Sequence, residues 1–161
     1  MIRIRKALPE DHQAVWEILQ SIILRGDTFA FSPSLTKEEM LLYWFAKDKH
    51  VYVALDENEI AGTFFIKDNQ PGLGSHIANA AYAVSLGSRG KGIGKIMGEF
   101  SLKEAKQLGY TAIQFNLVVK TNTAAVKLWR SIGFEIIGEI PNAFNHREHG
   151  LVNSFIMYKK L

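Results

Sequence analysis

The segment Gly87-Ser88-Arg89-Gly90-Lys91-Gly92-Ile93-Gly94 stands between two runs of opposite periodicity. Ser75 to Ser85 reads as a strand, and Ile93, Ile96, Met97, Phe100, Ala105 and Leu108 mark the buried side of a helix that Gly109 stops. A strand entering and a helix leaving a glycine-rich turn point the first helical amides, unpaired, at whatever lies above the turn. The glycines let backbone come close to a phosphate. Arg89, Lys91 and Lys95 fall within seven residues of one another, a local device for anions. The turn suits a pyrophosphate; the plainer alternative is a flexible loop with solvated charges.

Spacing narrows the ligand. In a P-loop, Gly94-Lys95 would be followed by Ser or Thr and preceded five residues earlier by glycine, but Ile96 and Arg89 stand there. A dinucleotide fingerprint built on Gly92-Ile93-Gly94 needs glycine at 97, where Met97 stands. What remains is Arg-x-x-Gly-x-Gly, filled by Arg89, Gly92 and Gly94.

Working outward, Ala112 to Val119 alternates Ile113, Phe115, Leu117 and Val119 with Gln114 and Asn116, so the turn lies inside a strand-helix-strand unit. Such a crossover predicts two parallel neighbouring strands, right-handed, with the turn at the carboxyl end of the first. Upstream, Ile2 to Lys6 reads as an edge-like strand and a helix runs from Pro9 to about Leu24. Thr36-x-x-Glu39 is a capping box for a second helix, and His50–Leu55 with Ile60–Lys67 form an antiparallel hairpin. Downstream the pattern predicts a short helix from about Asn122 to Ser131, a strand from Phe134, a loop from Pro141 to Gly150, and a last strand ending near Lys159.

The chain's 161 residues, 47% apolar and 22% charged, fit a single domain over 1–161. The absence of cysteine excludes disulfides, thiolate metal sites and a cysteine nucleophile, and favours a cytoplasmic setting. No apolar window reaches membrane-spanning length, and a net charge of +3 is weak grounds for a nucleic-acid partner. His146-Arg147-Glu148-His149 lacks the spacing of a helical zinc motif, so no metal is expected. Phe144-Asn145-His146-Arg147 reads as a surface connection by default, the alternative being a lid or specificity loop.

The Arg89-Gly90-Lys91-Gly92-Ile93-Gly94 turn, the order of elements, and a second motif running from Asn122 through Trp129 to Gly133-Phe134 resemble the GNAT superfamily of acetyl-CoA-dependent N-acetyltransferases over nearly the whole chain. The resemblance implies an α/β fold with a mixed, mainly antiparallel sheet, acetyl-CoA as co-substrate, and a homodimer as a common state. It implies that the backbone of Val84, Ser85 and Leu86 pairs with the pantetheine arm. The amides of Arg89 to Lys95 would hold the pyrophosphate, Asn122 would bond the arm, and Lys127 would lie near the nucleotide. Asn122 is also an ordinary helix cap, and Ala125, Leu128, Trp129 and Ile132 have the spacing of a buried helix face. Many family members carry tyrosine where Trp129 stands, to protonate the departing thiolate. An indole cannot do so, which leaves Tyr82 as an alternative acid or a plain core aromatic.

Within the superfamily, Gly74-Ser75-His76-Ile77-Ala78-Asn79-Ala80 and Phe115-Asn116-Leu117-Val118 are similar to fungal N-acetyltransferases acting on proline analogues such as azetidine-2-carboxylate. Carried over, Asn79 and Asn116 would bind the acceptor's carboxylate and orient its amine, with His76 as a base or relay. The alternatives are satisfied polar positions on a half-exposed sheet face and a structural histidine. The expected activity is direct acetyl transfer to the amine of a small molecule. Acetylation of peptide N-termini, or coenzyme A binding without turnover, are the rival expectations.

Overall fold

The computed structural model describes all residues, Met1–Leu161. Its elements follow in the order β1 (Ile2–Lys6), α1 (His12–Ile23), α2 (Lys37–Trp44), β2 (His50–Asp56), β3 (Glu59–Asp68), β4 (Ile77–Val84), α3 (Ile93–Gln107), β5 (Ala112–Val119), α4 (Thr123–Ser131), β6 (Glu135–His146) and β7 (Gly150–Lys160). The seven strands form one sheet in the order β1-β2-β3-β4-β5-β7-β6. Only β4 and β5 are parallel, the pair that the α3 crossover requires.

Alternation along the strands sorts the core into two layers. Ala78, Ala80, Tyr82 and Val84 of β4 join Ile93 and Met97 of α3 and Trp129 of α4 on one face. Ala81 and Ala83 face the other way, with Val15, Leu19, Met40 and Trp44 of α1 and α2. The expected capping box of α2 is present: Glu39 N–H donates to Thr36 Oγ1 at 3.2 Å, and Thr36 N–H donates to Glu39 Oε2 at 2.8 Å.

Three expectations need correction. The chain from Pro141 to His146 is not a loop but the end of β6, because an edge strand tolerates a missing N–H and the register slips between Ile140 and Phe144. On α3, Ile96 and Leu108 are exposed, and the small residues Gly98 and Ser101 take the buried face instead. A Cβ at Gly98 would lie 2.8 Å from Ile132 and 3.1 Å from Trp129, so that glycine lets α3 and α4 close together. His76 precedes β4 in a turn and is not a strand residue.

Candidate active site

The β4–β5 ladder holds only for Ile77↔Ala112 and Ala78↔Ile113, and beyond it the two strands diverge. The β4–β3 register continues unbroken to Val84↔Gly62. Ser85 N–H donates to Ala61 O on the β3 side and His76 C=O accepts from Thr111 N–H on the β5 side. By alternation, the backbone groups of Ala80, Tyr82 and Val84 therefore face the gap and have no partner strand. The expected backbone stretch of Val84, Ser85 and Leu86 is thus shifted: Val84 is free toward the gap, Ser85 is bonded to β3, and Leu86 begins a short helical turn.

The gap opens into a cleft of about 710 Å³ that passes from the α3–α4 face to the α1–α2 face. Its walls include Asn79, Tyr82, Val84, Arg89, Gly90, Gly92, Ile93, Gly94, Lys95, Asn116, Asn122 and Trp129, with Arg25, Asp27, Phe29, Phe31 and Tyr43 closing the α1–α2 side. Lys91, Lys127, Ser85, Leu86 and His76 do not line it. Lys91 instead pairs with Asp56 at 3.4 Å. His76 lies exposed at the opposite end of β4, eight residues from Val84 or roughly 26 Å of strand, which removes the geometry a base would need.

At the cleft's end, Gly92 caps α3 with φ 76° and Gly90 has φ 79°, left-handed conformations that glycine adopts freely. The first helical bond runs from Ile96 N–H to Gly92 O. None of the six consecutive amides from Gly90 to Lys95 donates to another atom of the chain, and no side chain caps the helix. Together with the α3 dipole they form a preorganised anion cradle. Gly94 has a second reason to lack a side chain, since its Cβ would meet Leu128 Cδ2 at 3.2 Å. Arg89 stands beside the cradle. Burial lowers its pKa, aided by Arg25 and opposed by Asp27, so the start of the α1–α2 connection lies close to the glycine-rich turn.

Where the strands part, Asn79 Nδ2 donates to Gln114 O at 2.9 Å, replacing the lost ladder bond. Asn116 donates to Asn69 Oδ1 at 2.7 Å and accepts from Gln114 Nε2 at 3.0 Å. A bulge between Phe115 and Val118 lifts Asn116 and Leu117 out of the β5–β7 ladder, a device that re-aims side chains. Both asparagines therefore line the cleft, each with its amide group partly committed to protein acceptors, and Asn79 Oδ1 is left without a partner.

Two aromatic residues frame the far wall. Tyr82 packs 4.7 Å from Trp129, and its hydroxyl lies 2.7 Å from Ser101 Oγ, whose own proton goes to Gly98 O. Tyr82 is thus the donor in that bond, and burial holds its phenol well above its ordinary pKa. The proton points into α3, away from service as an acid in the cleft. Trp129 is wedged among Tyr82, Phe115 and Phe134. Asn122 caps α4, its Oδ1 accepting from Ala125 N–H at 3.2 Å as the cap reading expects, and it also lines the cleft.

Residues 13–134 match the acetyltransferase (GNAT) family model. The N-acetyltransferase aca1 of Schizosaccharomyces pombe is 37% identical over 101 residues, 62% of this chain but 48% of that protein, so the chain spans about half the relative's length. A GCN5-related N-acetyltransferase from Kribbella flavida is 36% identical, covers 99% of this chain and 98% of its own, and superposes with a TM-score of 0.94. The fold is shared with yncA from Salmonella typhimurium, solved with acetyl-CoA, at 20% identity and a TM-score of 0.88 over 100% of this chain and 94% of the other. A splayed parallel strand pair, an uncapped helix start above it and a family match that spans both agree, and the chain belongs to the acetyltransferase (GNAT) family.

Proposed function

We propose that the cleft binds acetyl-CoA, the family's co-substrate, and catalyses direct acetyl transfer to the amine of a small molecule, an amino acid or proline analogue among the candidates. The observation that carries this reading is the continuity of the unpaired β4 edge with the six free amides from Gly90 to Lys95. An edge of alternating donors and acceptors suits the amides of a pantetheine arm, and the cradle suits the pyrophosphate. The free Val84 N–H lies on that edge and serves as the donor for the oxyanion that develops when the amine attacks the thioester carbonyl. Holding amine and thioester together supplies the rate advantage of an intramolecular reaction, so no acyl-enzyme is needed.

Asn79 Oδ1, the free acceptor at the fork, suits an amine N–H and orients the nucleophile. The side chains that titrate along the cleft are Arg25, Asp27, Tyr43, Tyr82, Arg89 and Lys95. Burial raises the Asp27 pKa, but hydrogen bonds from Arg25 and Thr28 and the Arg25 and Arg89 charges more than offset this and keep it ionised. Asp27 is therefore a counter-charge for an incoming ammonium and a poor base, and the amine loses its proton to water. Coenzyme A leaves as a thiolate, tolerable because a free thiol's pKa is about 8.5. The test is release of free coenzyme A across a panel of amino acids, proline analogues, polyamines and peptides. Turnover with small amines supports the reading, peptide-only turnover replaces the acceptor class, and thermal stabilisation by acetyl-CoA with no turnover overturns it.

A further inference from the structure

Beside the cleft lies a smaller pocket of about 220 Å³, lined by Arg25, Asp27, Thr121, Asn122, Thr123, Ala124 and His146. It shares Arg25, Asp27, Asn122 and Ala124 with the main cleft. His146 is 8% exposed. Its Nδ1 accepts from Glu148 N–H at 3.1 Å and His149 N–H at 3.3 Å, which fixes the proton on Nε2. That Nε2–H has no partner in the chain and belongs to a residue walling the pocket. Ala124 N–H, at the first turn of α4, is also unpartnered, because Asn122 Oδ1 takes Ala125 N–H and Asn122 O takes Val126 N–H. Arg25 spends Nε and Nη2 on Asp27 Oδ2, at 3.2 and 2.9 Å, and keeps Nη1 free.

Three unspent donors thus belong to residues that line one small polar space: a guanidinium, an imidazole N–H and a helix-start amide. A carboxylate satisfies such a set. Asp27 stands in the same wall and repels a bare anion, but its charge complements an adjacent ammonium. The pocket presents both signs side by side, as does a zwitterion. We propose that it is the subsite for the carboxylate of an amino acid acceptor, with Asp27 drawing the amine toward the cleft. Resting on the acetyl-transfer reading, this moves the acceptor's carboxylate from Asn79 and Asn116 to Arg25, His146 and Ala124.

The test compares kcat/KM for proline and azetidine-2-carboxylate with that for their carboxamides, in the wild type, Arg25→Gln and His146→Asn. His146→Asn keeps an acceptor where Nδ1 stood and removes the Nε2 donor, together with the ring's stacking on His149. Arg25 has a side chain 43% exposed, so its replacement leaves the core untouched. The expected result is an acid-over-amide preference of at least about tenfold in the wild type, collapsing toward unity in each variant, with acetyl-CoA Kd by calorimetry unaltered. Amides used as well as acids by the wild type would overturn the subsite while leaving acetyl transfer standing. A weakened acetyl-CoA Kd with acid selectivity intact would give the pocket to a coenzyme A phosphate instead. Absence of transfer to any amine would overturn the acetyl-transfer reading and the subsite with it.

Discussion

Asn79→Ala separates the two duties the structure gives this side chain. Its Nδ2 bond to Gln114 O, 2.9 Å long, closes the fork where β4 and β5 part, and its Oδ1, on a residue that lines the cleft, has no partner in the chain. Truncation leaves the Gln114 carbonyl without its partner in a half-buried setting, at a cost of about 1–3 kcal/mol. With an m-value near 2 kcal/mol/M, that lowers the urea midpoint by roughly 0.5–1.5 M. Loss of one neutral hydrogen bond to the amine, about 0.5–1.5 kcal/mol, lowers kcat/KM for the acceptor by roughly 2- to 13-fold. Acetyl-CoA Kd should stay unchanged, because the cradle and the β4 edge do not involve this side chain. Urea denaturation, calorimetry with acetyl-CoA and coenzyme A release at subsaturating acceptor read the three quantities on one preparation. A stability loss with acceptor kcat/KM intact would refute the nucleophile-orienting role. Equal losses for both substrates would make Asn79 a structural staple alone.

Gly94→Val should raise acetyl-CoA Kd at least about tenfold and also lose about 1–3 kcal/mol of stability, since a Cβ there already meets Leu128 at 3.2 Å; calorimetry and denaturation read the two effects. Tyr82→Phe should lose about 1 kcal/mol of stability with the Ser101 bond yet retain turnover, and a collapse of kcat would restore Tyr82 as the acid. Trp129→Phe should keep most turnover, with its losses traced to packing against Tyr82 and Phe115; a kcat collapse at unchanged stability and acetyl-CoA affinity would show the indole taking part. Asp11 is bonded to Arg5 at 2.6 and 2.9 Å, and the Arg5 hydrogen bond, opposed by burial, holds its pKa below the ordinary 3.8. That stability is present above 3.8 and lost as pH falls through the lowered value, so Asp11→Asn should flatten the acid limb of a stability-against-pH profile measured by urea midpoints.

The glycine-rich turn between β4 and α3 was readable because each of its features is local: strand periodicity before it, helix periodicity after it, and glycines between. The same holds for the parallel pair, since a helical crossover of this length permits little else. The fork was only half readable. Asparagine inside two central strands marked Asn79 and Asn116 as unusual, but that Asn79 replaces a ladder bond depends on where the strands part, and no local pattern encodes that. β4 starts at Ile77, two residues after the expected Ser75, and this leaves His76 in an exposed turn. Pro141 read as a loop because its tolerance depends on β6 lying at the sheet edge, a fact of topology. The pocket of Arg25, Ala124 and His146 was not legible as a whole, because Arg25 lies about a hundred residues before the other two. They are brought together where Arg147 N–H donates to Gly26 O at 3.1 Å and Arg147 Nη1 to Leu24 O at 2.8 Å.

Passage of the acetyl group from acetyl-CoA to an amine in one step within the β4–β5 cleft is tested by mass spectrometry of both protein and acceptor after incubation with acetyl-CoA. The expected result is an acceptor carrying one acetyl group per coenzyme A released, and a protein whose mass is unchanged when acetyl-CoA is added without acceptor. A protein stoichiometrically acetylated in the absence of acceptor, and discharged when the amine is added, would contradict it.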